Sequence, residues 1–246
     1  MNSRSVTTPD CTTTTRAQSN VVGVALLLGI TVVALGTLTA SVGTVVDQHA
    51  AATDSRRVAA DLDEALRPVE TTGVRRGTVA FSSGDLELVD RDVHVLNSSG
   101  IVERIDANAL RFTAGSRGAT FLAGSVLVHG NGWSRTRTRM PVTADADVLV
   151  VSVPVLRGSV SRSASGGAVY TLRSNVTHER QHLERESYRV AIETTHPAAW
   201  KRQFERTNAT IDQRDVDGDG ISSVVVHFEG SRTAYLVVHE MEVSLS

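Results

Sequence analysis

Two stretches of this chain bring together residue types that do chemistry. The first, His178-Glu179-Arg180-Gln181-His182, reads H-E-x-x-H. On a helix that spacing puts both imidazoles on one face to hold Zn²⁺, and the glutamate serves as general base for the metal-bound water. The surroundings argue against it. Asn175-Val176-Thr177 precedes the motif, strand-like runs flank it, and Arg180, Glu184, Arg185 and Glu186 crowd it. A polar loop or short surface helix is the expectation, with a membrane-tethered zinc hydrolase as the alternative and Glu205 or His196 as the available third ligands. The second stretch, Asp215-Val216-Asp217-Gly218-Asp219-Gly220, matches the first half of a calcium loop. Carboxylates at positions 1, 3 and 5 point inward, and glycine at position 6 permits the sharp turn. Ser223 stands at position 9, but position 12, where a bidentate acid should close the shell, is Val226. Asp215, Asp217 and Asp219 therefore mark either a weak calcium site, supporting a calcium-stabilised binding module, or an acidic Asp-Gly turn before a strand.

Other chemistry is thinly represented. Three N-x-[ST] sequons, at Asn97, Asn175 and Asn208, fall next to expected turns, where glycan acceptors must lie. The one cysteine, Cys11, rules out a disulfide within the chain and any Cys-based metal site. No Gly-rich phosphate loop, G-x-S-x-G elbow or nicotinamide fingerprint occurs. A net charge of -2 and 4% aromatic residues leave neither a basic footprint nor a stacking platform, so nucleic acid is not an expected partner. No cofactor is expected beyond calcium at the loop acids, with zinc at His178, Glu179 and His182 only in the alternative reading, and no catalytic residue is assigned.

The elements that must carry these residues fall into two contrasting parts. From Ala17 to Val46 there are 30 positions without a charge, dominated by Val, Leu, Ala, Gly and Thr. As a helix this segment is about 45 Å long, against a hydrocarbon core of about 30 Å. It is roughly twice the length of a secretory signal's apolar region, so a retained transmembrane helix is expected. Arg4 and Arg16 in the tail, against the acidic residues after Asp47, favour the tail inside and the large domain outside. Helix-compatible sequence continues to about Leu66, with Ala51, Val58, Leu62 and Leu66 at three- to four-residue spacing, and Pro68 ends it.

After Pro68 short alternating apolar runs are divided by Gly, Ser, Asn and Asp. Expected strands include Gly77–Phe81, Leu86–Val89, Val93–Leu96, Ala109–Thr113, Thr120–Phe121 with Ser125–Val128, Val148–Val153, Val169–Leu172, Tyr188–Glu193, Ser223–Phe228 and Ala234–His239. One helix is expected at about 197–206, with Trp200 and Phe204 on one face, and Arg157–Gly167 reads as a Ser/Gly-rich loop or irregular edge. The fold class is α+β: a long N-terminal transmembrane helix, then a mostly antiparallel, sandwich-like β domain with one short helix.

The border of the apolar segment is the most specific feature. Arg16-Ala17-Gln18-Ser19-Asn20-Val21-Val22-Gly23 sets a basic residue, a small residue and a short polar step directly before the apolar run. This resembles the class III signal of archaeal type IV pilins and archaellins, of the kind found in halophilic archaea. The resemblance implies cutting between Ala17 and Gln18 by a prepilin-type peptidase, with the helix kept on the mature protein. It also implies the lipid bilayer and sister pilin-like subunits as partners, and admits N-glycosylation. The proline often found soon after the cut in those pilins is absent here. The run Ile192 to Trp200, continuing through Phe204-Glu205-Arg206, is similar to a strand-to-helix segment of the same surface proteins. The resulting expectation divides the chain into a leader (1–17), a membrane helix (18–46), a helical stalk (47–68) and an extracellular β-rich domain (69–246). It is a structural or adhesive cell-surface protein, with no enzymatic activity.

Overall fold

A computed structural model describes residues 15–67, 72–205, 207 and 209–246. The chain forms two compact units, Met1–Asp47 and Gln48–Ser246. One helix, α1 (Thr15–Leu66), supplies the described part of the first and opens the second.

In the first unit, Leu26, Leu27, Leu28, Ile30, Val32 and Val33 are each more than 60% exposed. Hydroxyls that would be costly in hydrocarbon turn inward: Thr31 donates to the Leu27 carbonyl (2.7 Å) and Thr39 to that of Leu35 (2.8 Å). From Val22 the helix is long and apolar enough to cross a membrane, and none of its most apolar stretch is buried.

The second unit is built around two sheets. Fourteen strands are described: β1 (Gly73–Val89), β2 (Asp92–Asn97), β3 (Gly100–Asp106), β4 (Ala109–Ala114), β5 (Arg117–Leu122), β6 (Ser125–Gly130), β7 (Trp133–Thr138), β8 (Val142–Ala144), β9 (Val148–Gly158), β10 (Ser161–Glu186), β11 (Arg189–Glu193), β12 (Ala209–Arg214), β13 (Ser223–Phe228) and β14 (Arg232–Leu245). The larger sheet has the order β7-β6-β5-β4-β1-β10-β14-β9-β8, and the smaller β12-β13-β11-β2-β3. Pairing is antiparallel throughout except between β9 and β14, which run parallel. A short helix, α2 (Pro197–Phe204), starts on proline, which suits a first-turn position, and buries Trp200 and Phe204.

Side-chain alternation places two cores on opposite faces of the large sheet. Leu149, Val151, Val153 and Val155 of β9 face Val93, Val95, Val190 and Ile192 of the small sheet, with Trp200 in the same core. On the other face, Leu110, Phe112, Phe121, Met241 and Val243 pack with Val58, Ala59, Leu62 and Leu66 of α1. The spacing expected of the stalk is thus the seam that docks it. The contact is close: a Cβ built on Gly77 of β1 would fall 2.4 Å from the Ala65 Cβ.

Carboxylates fix the helix to a strand edge. Residues 73–84 of β1 pair with β10 on one side, while β4 joins on the other side only from Asp85. Asp61 accepts from the Ala80 amide (3.0 Å). At the bulge between Phe81 and Ser83, Asp54 accepts from the Ser82 amide (2.9 Å) and hydroxyl (3.2 Å) and from the Ser83 amide (3.3 Å). Strand amides without a ladder partner are therefore satisfied by the helix.

Two expectations are corrected here. Arg157–Gly167 is not a loop: β9 runs to Gly158 and β10 starts at Ser161, where Ser161–Ser165 pair with Ser83–Glu87. Val169–Leu172 is a segment within the 26 residues of β10 and not a separate strand. Ladder pairing to β1 outweighs the low intrinsic strand preference of serine and glycine.

Candidate metal centre

The H-E-x-x-H motif lies in the middle of β10, and this corrects its reading as a loop or helix. Along a strand, residues four apart share a face but stand about 13 Å apart, too far for one ion. His178 and His182 each turn to β14 instead. His178 Nδ1 is 2.8 Å from His239 Nδ1, and the His182 ring is 5.2 Å from Tyr235. His239 Nε2 in turn reaches the Ser152 hydroxyl on β9 (2.6 Å), giving a polar row that ties three strands together. Burial, reinforced by His178 and Arg180, pushes the His239 pKa down, so this imidazole is held neutral in the sheet. Glu179 is exposed on the opposite face of the strand.

Asn97 stands directly before the turn at 98–99, as expected, but it is 9% exposed and its side-chain oxygen accepts from the Ser99 amide (2.8 Å). Asn175 is exposed but in mid-strand, paired with Val74 on one side and Glu242 on the other. Asn208 and the leader residues 1–14 lie outside the described residues. Arg16, Ala17 and Gln18 fall within the span of α1.

The acidic loop leads to the site with the greatest chemical content. Residues 215–222 join β12 to β13. Asp215 accepts from the amides of Gly218 (2.8 Å) and Gly220 (3.0 Å), and these bonds hold its pKa below the usual carboxylate range. Asp219 accepts from Ile221 (2.7 Å). Gly218 and Gly220 take φ values of +84° and +90°, a backbone region that side chains disfavour, which explains both glycines. The loop lies over the outer face of the small sheet, where Val216 packs on Leu96, Ala191 and Val225.

That cover shields a set of polar residues from two strands. On β2, Val93 and Val95 face the core, so Asp92 and His94 face outward; on β11 the same parity turns Glu193 outward. Ligand atoms of Asp92, His94, Glu193 and Asp217 all lie within 4.8 Å of one another, and those of Asp215, Asp217 and Asp219 do the same. The two groups share Asp217. Arg104, opposite His94 on β3, contacts Asp92 (2.6 Å) and Asp217 (2.7 Å). Glu193 Oε2 accepts from the Asp92 amide (2.8 Å).

His94 is fully buried, with Nε2 at 3.7 Å from Asp217 and 4.0 Å from Asp92. Burial lowers its pKa, against the pull of Asp217 and Asp92. Burial also raises the Glu193 pKa to about 7, and the nearby Asp92, Asp219 and Asp217 charges add to the rise. Among the described residues, ten buried side-chain polar atoms lack a hydrogen bond. Six of them are here: both nitrogens of His94, Glu193 Oε1, both oxygens of Asp217 (ion-paired with Arg104) and the Ser223 hydroxyl. Such groups are costly to leave unpaired, so their concentration in one place sets this site apart from the rest of the domain. A polar depression of about 420 Å³, lined by Asp92, Arg104, Asp106, Glu193, Asp219 and Ile221 among others, opens onto the cluster.

Reasoning along the chain found the loop acids but missed Asp92, His94 and Glu193. The available signal was parity: in Asp92-Val93-His94-Val95 the titratable residues occupy one face of a strand whose other face is apolar.

Residues 16–244 match the model of DUF7289, a family of unknown function, and the chain belongs to that family. No curated protein and no solved structure matches it.

Proposed function

We propose that this member of DUF7289 is a pilin-like cell-surface protein, held at the membrane by its retained N-terminal helix and presenting the β-rich domain outside the cell for structural or adhesive contacts. The observation that supports this reading most is the division of labour within α1. Its first part is apolar and exposed on every side, as a helix facing lipid or sister helices must be. Its last turns are amphipathic and buried against a sheet. The Arg16-Ala17-Gln18 border, which resembles a prepilin-type signal directly before the apolar run, adds support.

The alternatives have less support. A tethered zinc hydrolase requires His178 and His182 on one helical face, and they lie in a strand. A calcium-stabilised module built on the loop has three converging carboxylates, but Val226, at the closing position, is fully buried in the core.

The test is the N-terminal residue of the membrane-extracted protein, read by mass spectrometry of its terminal peptide. A start at Gln18 is expected. A start at Met1 or Asn2 would sink the pilin-like reading and leave a plain signal-anchored domain.

A further inference from the structure

We propose that Asp92, His94, Glu193 and Asp217 bind one divalent transition-metal cation of the manganese-to-zinc class, joining the 215–222 loop to the small sheet. This inference is independent of how the chain is exported.

The geometry fits a single ion. Metal–ligand bonds in this class are about 2.0–2.2 Å, so donors around one ion lie within roughly 4.5 Å of each other, close to the spread of these four. The four ligand atoms lie within 4.8 Å of one another, and small side-chain rotations bring them onto a common centre. The second and separate observation is His94. It is fully buried, neither ring nitrogen has a hydrogen-bond partner in the protein, and Nε2 faces two carboxylates at distances too long for a hydrogen bond. Glu193, 2% exposed, aims an unpartnered Oε1 into the same space. One cation would satisfy the imidazole nitrogen and the orphaned oxygens together.

Charge points the same way. Among the described residues, Arg104 is the one arginine ion-paired with this acidic set, and it contacts Asp92 and Asp217 but not Glu193; Arg91 and Arg157 also line the depression, with Arg157 paired to Asp106 and Glu240 instead. The Arg104 side chain is 53% exposed, so it can withdraw toward solvent when a cation enters through the depression. The donor set selects the ion. Calcium and magnesium take oxygen ligands, whereas an imidazole nitrogen among carboxylates suits first-row transition ions. With the loop's Asp217 as one ligand and strand residues as the others, binding would fasten the loop to the sheet.

The test uses the full chain in detergent, stripped with a chelator and titrated calorimetrically with Mn²⁺, Zn²⁺ and Ca²⁺. One Mn²⁺ or Zn²⁺ per chain is expected, bound more tightly than Ca²⁺. Affinity should fall about tenfold or more in Glu193→Gln. Pulsed electron paramagnetic resonance of the Mn²⁺ form should show one imidazole ¹⁴N coupling that disappears in His94→Gln. Glu193→Gln keeps the side-chain volume and removes a buried charge, so it stays folded and decides the matter even if His94→Gln does not. Three results would overturn the proposal. These are no saturable binding, an imidazole coupling that survives His94→Gln, or Ca²⁺ binding at least as tight as Zn²⁺ and unaffected by Glu193→Gln. The last would place the cation with Asp215 and Asp219.

Discussion

Carboxylates are carried onto a sheet at two places in this domain, with opposite outcomes. Where α1 meets β1, Asp54 and Asp61 are delivered to strand amides that have no ladder partner, and each finds a donor. Where the 215–222 loop meets the small sheet, Glu193 Oε1 and the Asp217 oxygens find no hydrogen-bond donor beyond the Arg104 ion pair, and His94 and the Ser223 hydroxyl are left unpaired beside them. The first arrangement closes the hydrogen-bond account of a strand edge and fixes a helix. The second keeps an energetic cost that another strand residue could have removed, as happens where a site is built for a ligand.

Substitutions should separate the two sides sharply. The largest effect is expected at the helix seam, where Leu62→Ala removes a fully buried side chain and should cost about 2–5 kcal/mol in denaturant unfolding. Asp54→Ala should cost about 2–3 kcal/mol, because it strands the amides of Ser82 and Ser83. If Asp54→Ala is nearly neutral, the helix carboxylates are no better used than those of the loop and the contrast fails.

At the cluster the sign should reverse. The Glu193 pKa is raised from the usual 4.5 to about 7, so in that interval the folded chain keeps a proton that the unfolded chain has released. Its contribution is complete below about 4.5 and is lost as pH rises through about 7. Metal-stripped Glu193→Gln should therefore gain on the parent chain, by on the order of 1 kcal/mol, as melts are moved from pH 6 to 8.5. Toward acid pH both proteins should lose stability alike, His129 contributing to that loss because burial, then His196, lowers its pKa to about 4. The stability it contributes is present above 6.5 and lost as pH falls toward 4. The smallest effect should come from Glu179→Ala in the zincin-like motif, within about 0.5 kcal/mol, because that side chain is exposed in mid-strand.

Much of the scaffold was readable because it rests on periodicity. The three- and four-residue spacing through Leu66 gave the buried stripe of α1, and Pro197 with Trp200 and Phe204 gave α2. What escaped was whatever depends on partners far along the chain. Ser161–Gly167 has loop composition, yet it extends because β1 is beside it. The H-E-x-x-H residues fit a helix until β14 offers His239 and Tyr235 as neighbours. Of the candidate site, the loop acids show themselves by spacing, whereas Asp92 and Glu193 are 101 positions apart and meet only through the β2–β11 register. A single titratable residue in an apolar run carries little local signal, so His94 becomes visible only when strand faces are assigned.

The place of β14 in the large sheet sets a condition on the order of assembly. The strand lies between β10 and β9, so the sheet stays divided until residues 232–245 have been synthesised. Until then β10 and β9 each present an open ladder edge, and the core that packs against α1 lacks Met241, Val243 and Leu245. The nascent domain is thus a pair of incomplete sheets prone to pairing with other chains. Joining the two halves of the sheet is late, long-range and slow, and the vulnerable interval ends only as β14 enters the gap.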